Sequence, residues 1–232
     1  MGLRAALFDI GGTLISSSVR DPWRVPVMAR LEAEFGRERW LEDLYDADIR
    51  QPHVSDPNRQ ETTRWLATWL AEHGIDLGPA EVERLRVAFA APLPAEFSLT
   101  AGAKNALRWC KAHGVTVVTV SNALSSSDAD VRRNCESLGI GGEIDHVVSS
   151  YSFGWEKPHS GIFERALELA DVDAVDACMV GDDFAADIAG AKAVGIRAVW
   201  TSRRDRPAGA TVFPDAKISS LEELPPILAG WL

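Results

Sequence analysis

Four groupings in this sequence could do chemistry together, and each lies at or beyond the end of a short apolar run. Asp9 follows Ala5–Phe8 (AALF) and leads into Gly11 and Gly12. Ser121 and Asn122 follow VTVVTV (115–120). Lys157, with Pro158 after it, comes downstream of the short run ending at Ser149. Asp182 and Asp183 follow ACMV (177–180) and Gly181, with Asp187 four residues further on. If the apolar runs are neighbouring strands of one parallel sheet, their carboxyl ends share an edge, where open α/β sheets place their ligands. That edge then carries three or four carboxylates, a hydroxyl, an amide and one ammonium. Clustered carboxylates repel one another unless a positive charge sits among them. A hard divalent cation answers this, and magnesium takes one or two carboxylates together with waters and substrate phosphate. Lys157 and the donors of Ser121 and Asn122 suit the phosphate.

The same residues also have purely structural readings. Asp9 with its glycines could end a strand in a turn. Ser121 and Asn122 could cap a turn, Lys157 could be a surface residue before a proline, and Asp182 and Asp183 could cap the helix beginning near Phe184.

The elements that would position these groups can be read from periodicity. Residues 3–9 form the first strand and 14–20 a polar loop. Apolar residues then recur at helical spacing from Asp21 to about Pro94, through Val27, Leu31 and Phe35, then Leu41, Leu44 and Tyr45, then Trp65 to Leu70, and then Val82, Leu85, Val87 and Phe89. Breaks at Gly36, Pro52, Pro57, Gly74 and Gly78–Pro79 divide this stretch into four helices whose aromatics form a bundle core. Beyond Thr100, helices at 101–113, 125–138, 160–170, 185–194 and 221–228 alternate with strands at 115–120, 146–149, 177–180 and 197–201, with a weaker strand at 210–212. This alternation predicts an α/β protein, a doubly wound parallel sheet with right-handed crossovers. The expected organisation is a core of residues 1–16 and 97–232 carrying a small all-helical cap of residues 17–96.

Composition bounds the partners. The 232 residues carry a formal net charge of −10, which argues against nucleic acid or an anionic membrane as partner. Cys110, Cys135 and Cys178 show no metal-binding spacing and read as small hydrophobes of a reducing compartment. With no apolar run of membrane-spanning length, the expectation is a soluble cytoplasmic protein. Oligomeric state is left open.

Taken together, the motifs FDIGGTL (8–14), VSNA (120–123), EKP (156–158) and GDDFAADIAGAKAVG (181–195) resemble the haloacid dehalogenase (HAD) superfamily, specifically its magnesium-dependent phosphatase-like members with a helical cap after the first strand. The resemblance covers essentially the whole chain and implies a Rossmann-like core. It also implies that Asp9 is the nucleophile, forming an aspartyl phosphate. Ser121 and Lys157 would hold the phosphoryl oxygens, with Gly11, Gly12 and Asn122 lining the phosphate site. Asp9, the Gly11 carbonyl, Asp182 and Asp187 would hold Mg2+, and Asp183 would hydrogen-bond behind them. The implied substrate is a small phosphorylated metabolite.

One position departs from that pattern. The family's phosphatases carry a second Asp two residues after the nucleophile, which protonates the leaving group and then activates water. Here that residue is Gly11. Losing a general acid–base costs roughly 10²–10⁴ in rate. The expectation is therefore slow turnover, or turnover restricted to good leaving groups. The alternatives are a phosphate-ligand binding protein without turnover and a 2-haloacid dehalogenase-type hydrolase. Asp21, Asp46, Asp48, His53 and Asp56 are candidates to replace the missing acid, and Arg20, Trp23, Arg24, Arg50 and His53 are candidate substrate contacts. Family phosphonatases use a cap lysine, but the first lysine here is Lys104, beyond the helical stretch. Family dehalogenases also lack the second Asp but need no metal, so the acids at 182 and 187 argue against them.

Overall fold

The computed structural model of the chain describes residues 2–49, 62–123, 125–202 and 205–232. Its centre is a six-stranded, wholly parallel sheet formed by β1 (Ala5–Phe8), β4 (Thr116–Ser121), β5 (His146–Ser149), β6 (Ala177–Gly181), β7 (Arg197–Thr201) and β8 (Ala216–Ile218) in the order β5-β4-β1-β6-β7-β8. The fold is a Rossmann-like α/β core. Small and β-branched side chains alternate across the sheet. Ala6 and Phe8 of β1 and Cys178 and Val180 of β6 face one apolar layer, while Ala5, Leu7, Ala177 and Met179 face the other. Both faces are therefore buried, as an unbroken apolar run in a parallel strand requires. Each fully buried Leu or Phe contributes about 1.5–3 kcal/mol from burial alone.

Helices cover both layers. On one face lie α5 (Ala103–Ala112), α6 (Asp128–Ser137) and α10 (Leu224–Ala229), through Ala106, Leu107, Val131 and Leu228. On the other, α8 (Ser160–Ala170) buries Ile162, Phe163 and Ala166, and α9 (Gly190–Ala193) buries Ala191. The short α7 (Ser150–Phe153) follows β5 directly.

Between β1 and α5 lie four helices among the described residues: α1 (Arg24–Phe35), α2 (Arg39–Ile49), α3 (Thr62–Glu72) and α4 (Pro79–Phe89). They bury a separate cluster that includes Leu31, Leu41, Leu44, Leu66 and Leu85. Pro79 opens α4, where its missing N–H costs nothing. Val87 departs from the expected buried stripe and is 42% exposed.

Four further expectations are corrected. Residues 15–17 are not loop: β2 (Ile15–Ser17) pairs antiparallel with β3 (Phe97–Leu99), a ribbon at the two ends of the helical stretch. The last strand is not 210–212 but β8, fixed beside β7 by the Asp215 carboxylate, which accepts from the Ala198 N–H at 2.7 Å. Residues 185–194 are not one regular α-helix. Phe184–Ala189 winds as a wide turn of π geometry before α9. The final helix likewise begins with a tighter turn over Leu221–Glu223.

Candidate functional site

Register brings the chemical groups to one edge. Phe8 lies opposite Thr119 of β4 and Val180 of β6, so Asp9 emerges between Val120 and Gly181, with its N–H donating to the Val180 carbonyl at 2.9 Å. Ser121 closes β4, and Asp182 follows β6. Carboxylate oxygens of Asp9, Asp182 and Asp187 lie within 4.8 Å of one another.

Lys157 sits among them, 2% exposed. Its Nζ donates to Asp9 Oδ1 at 2.6 Å and to the Val120 carbonyl at 2.7 Å, and lies 2.7 Å from Asp187 Oδ1. Burial pulls the ammonium pKa down, but Asp187 and Asp9 outweigh it and hold the group charged well above the ordinary lysine range. Burial pushes the Asp187 carboxyl up, opposed by Lys157. Asp182 opens to solvent at the rim. Even so, desolvation by the surrounding protein and then the Asp9 carboxylate raise it to about 6, against a hydrogen bond from Thr13 Oγ1 at 3.3 Å.

The wide turn at 184–189 aims Asp187 inward. Its Oδ2 accepts from the Asp183 N–H at 3.0 Å, and a Cβ on Gly181 would meet that same oxygen at 2.2 Å. Glycine is therefore required at 181 for the carboxylate to sit there. At Gly12 the backbone is left-handed (φ 84°), and a Cβ would lie 2.5 Å from Asp182 Oδ2. Gly12 thus admits both the turn and the acidic side chain.

Three of the expected site residues take particular positions. The Asn122 amide faces the Lys157 backbone, accepting from its N–H at 2.8 Å and donating to its carbonyl at 3.0 Å. It braces the lysine loop. The Asp183 carboxylate caps the following turn, accepting from Ala185 and Ala186 N–H groups at 2.8 Å, and reaches Asp187 only through its own backbone. Gly11 is exposed at the mouth of a cavity that Ser121 and Asn122 also line.

Among the acid and substrate-contact candidates, Asp21 and Trp23 line the cavity, and Asp21 accepts from the Tyr45 hydroxyl at 2.8 Å. Asp46 pairs with Arg24 at 2.7 Å. Arg50, His53 and Asp56 lie outside the described residues, as does the side chain of Asp48. Thr13 and Trp200 were not singled out from the sequence. Trp200 Nε1 donates to the Asp182 carbonyl at 2.9 Å and its ring packs on Ile188. Thr13 at least lies inside the FDIGGTL motif, whereas nothing local marks Trp200.

The donor set fits a hard cation. Three carboxylates against one ammonium leave the cluster formally negative. Among the described residues Asp187 Oδ1 is buried without an aligned hydrogen bond, Lys157 meeting it as an ion pair. Oxygen-only ligands and excess negative charge match magnesium rather than a softer metal.

A family model described as haloacid dehalogenase-like hydrolase matches residues 3–195. The chain belongs to that family. This HAD-family chain is 38% identical over 104 residues to ribulose-1,5-bisphosphate 5-phosphatase of Halopiger xanaduensis, a match over 45% of this chain and 42% of that one. It spans about two fifths of the length of the curated relatives it matches. A HAD phosphatase structure from Thermococcus onnurineus superposes at TM-score 0.62 with 26% identity, over 98% of this chain and 99% of that one. A 2-haloacid dehalogenase from Pseudomonas syringae superposes at TM-score 0.66 with 24% identity, over 99% of this chain and all of the other, which shows the shared fold. Among the described residues no helix of this HAD-family chain is long and apolar enough to cross a membrane.

Proposed function

We propose that the chain is a magnesium-dependent hydrolase of small phosphorylated substrates acting through an aspartyl phosphate on Asp9. The observation that carries this is the convergence of Asp9, Asp182 and Asp187 within 4.8 Å around the buried Lys157 ammonium. Phosphatases among the relatives support the same reading. Asp9, Asp182, Asp187 and the Gly11 carbonyl would hold Mg2+, which when bound offsets negative charge on the phosphoryl group.

The protein's own groups divide the work. An Asp9 carboxylate oxygen attacks phosphorus, a new P–O bond forms, and the ester P–O bond breaks with its electron pair going to the leaving oxygen. Lys157 fixes Asp9 through its 2.6 Å bond, and with Ser121 at the cavity rim it offsets charge on the phosphoryl oxygens. Water then attacks phosphorus, the bond to Asp9 breaks, and the carboxylate is restored with release of phosphate. Asp182 and Asp187 hold position through Thr13 and the Asp183 N–H. Gly11 has no proton to give the leaving oxygen, so turnover is slow except for leaving groups stable as anions. Residues 17–96 serve as a cap that excludes water, over a core of 1–16 and 97–232. The separate apolar cluster of α1–α4 supports this division.

The test is hydrolysis of p-nitrophenyl phosphate and propyl phosphate with Mg2+ and with chelator. The expected result is Mg2+-dependent turnover of the aryl ester, at least roughly 10²-fold slower propyl phosphate, and loss of activity in Asp9→Asn. No turnover with inorganic phosphate binding intact would make this a binding protein. Metal-independent halide release from a 2-haloacid would make it a dehalogenase.

A further inference from the structure

The cavity that opens beside Gly11 and Ser121 has a volume of about 400 Å³, within the range for small-molecule sites. One end is the catalytic edge itself, since Gly11, Ser121 and Asn122 line it. The rest lies between that edge and the four helices, walled by Trp23, Val27, Phe89, Leu93, Phe97 and Val131. Trp23 and Phe97 pack ring against ring at 5.4 Å, which gives the wall a fixed aromatic surface. A group attached to a phosphoryl held at Asp9 has this space beside it, on the side of Gly11 and Ser121.

Its charge is as informative as its shape. Among the described residues lining the cavity there is no Lys, Arg or His, and the one ionisable carboxylate is Asp21, held by Tyr45. Among the described residues, two arginines come near and are already engaged. Arg24 pairs with Asp46 at 2.7 Å. Arg86 donates to the carbonyl of the cavity residue Ser125 at 2.6 Å and to Glu83 at 2.7 Å. A second anion on the substrate would be desolvated against apolar walls with a carboxylate in the same space and no cation among the described lining residues to receive it, and burying an unpaired charge is strongly unfavourable. An uncharged ring would instead displace water from apolar surface.

We infer that the site takes phosphate monoesters whose leaving group is uncharged, largely apolar and of one- or two-ring size, and that it rejects esters carrying a second anionic group. This rests on the phosphatase reading of the same site. It makes the cavity, and not leaving-group chemistry alone, a source of selectivity.

The experiment separates these two contributions with phosphonates, which have no leaving group. Inhibition of p-nitrophenyl phosphate hydrolysis is measured for 4-(methoxycarbonyl)benzylphosphonate, 4-carboxybenzylphosphonate and methylphosphonate, with calorimetric binding of the same three compounds to the Mg2+-loaded protein. The neutral aryl compound should bind roughly tenfold or more tighter than either of the others. Leu138→Arg, which puts a cation on a half-buried cavity wall, should shift the neutral-to-acid ratio toward the acid by roughly tenfold. Equal affinity of the neutral and acid compounds, or methylphosphonate binding as tightly as the aryl one, overturns the inference while leaving hydrolysis intact. An unchanged ratio in a folded Leu138→Arg protein also overturns it. If that variant does not fold, the three wild-type affinities decide. Selective binding without turnover of any ester removes the hydrolase reading and supports the cavity assignment.

Discussion

Gly11→Asp should raise turnover of poor leaving groups by roughly 10² or more, at least 2.7 kcal/mol of barrier, because it supplies a positioned proton donor where none stands. The structure makes room for it. An ideal Cβ at Gly11 meets no atom within 4 Å, and its backbone lies outside the left-handed region. Stability should therefore change by less than about 1 kcal/mol, with reduced freedom of the unfolded chain acting in the variant's favour. The introduced carboxyl joins a cluster that already carries three carboxylates against one ammonium. Asp182, pushed to about 6 in that environment, shows the direction in which a further acid would be driven. A raised pKa is what a general acid needs near neutral pH. The assay is kcat for propyl phosphate and p-nitrophenyl phosphate in wild type, Gly11→Asp and Gly11→Asn. The gain should fall on propyl phosphate, stay below about tenfold on the aryl ester, and be absent in Gly11→Asn, which matches size but carries no acidic proton. A folded, phosphate-binding Gly11→Asp protein with an unchanged propyl phosphate rate would refute the reasoning. The donor would then have to come from elsewhere, with Asp21 in the same cavity the first to replace by Asn.

Two further predictions concern the frame. Lys157→Met should destabilise the metal-free protein by about 3–5 kcal/mol, read as a drop in melting temperature, because two buried carboxylates lose their cation. Its sign with pH follows from the raised Asp187 pKa, which loses its lysine counterweight: the stability this group contributes is present below the ordinary carboxylate range and lost as pH rises through the raised value, so the defect should be larger at pH 8 than at pH 4. Arg86→Ala should cost about 1–3 kcal/mol, since it strands the buried Ser125 carbonyl and removes the guanidinium over the Tyr151 ring at 4.6 Å. It should raise KM for aryl phosphates more than it lowers kcat, because Arg86 joins α4 to the loop that lines the cavity.

What was legible in the sequence was whatever a local pattern determines. AALF, VTVVTV and ACMV read as strands because a strand buried on both faces needs an unbroken apolar run, and these three lie side by side at the centre of the sheet. Once they are placed, Asp9, Ser121 and Asp182 must share an edge, whatever the chemistry. The ribbon of β2 and β3 was not legible. Three-residue strands reading ISS and FSL have too few positions for a period to show, and they pair across the whole helical stretch. β8 was misplaced for a similar reason. Thr211 and Val212 have the better strand propensity, but the pairing of Ala216–Ile218 with β7 and the Asp215 bond to the Ala198 N–H decide the matter.

The site shows the same division at finer scale. Asp187 takes its expected role from the family resemblance, yet a regular helix would not account for how it is held. The wide turn at 184–189, the bare backbone of Gly181 and the Asp183 N–H aim it at Lys157. Turns of this kind recur at functional sites and leave no periodic mark in sequence. Asn122 adds a contact that residue type alone does not show. An amide at a strand end reads as a phosphate donor, and the structure adds that both its oxygen and its nitrogen bond the backbone of Lys157. That exchange has a consequence for the chemistry. With Asn122 bracing the lysine loop and Lys157 tied to Asp9, Asp187 and the Val120 carbonyl, the ammonium is fixed before any substrate arrives. Under the proposed mechanism, phosphoryl charge would be met by an oriented cation that needs no rearrangement, and such preorganisation is where most electrostatic stabilisation of a transition state comes from. The same rigidity means that this lysine cannot swing out to serve as the missing proton donor at Gly11. Whatever acid the reaction uses has to come from the cavity side, from water or from the substrate's own leaving group.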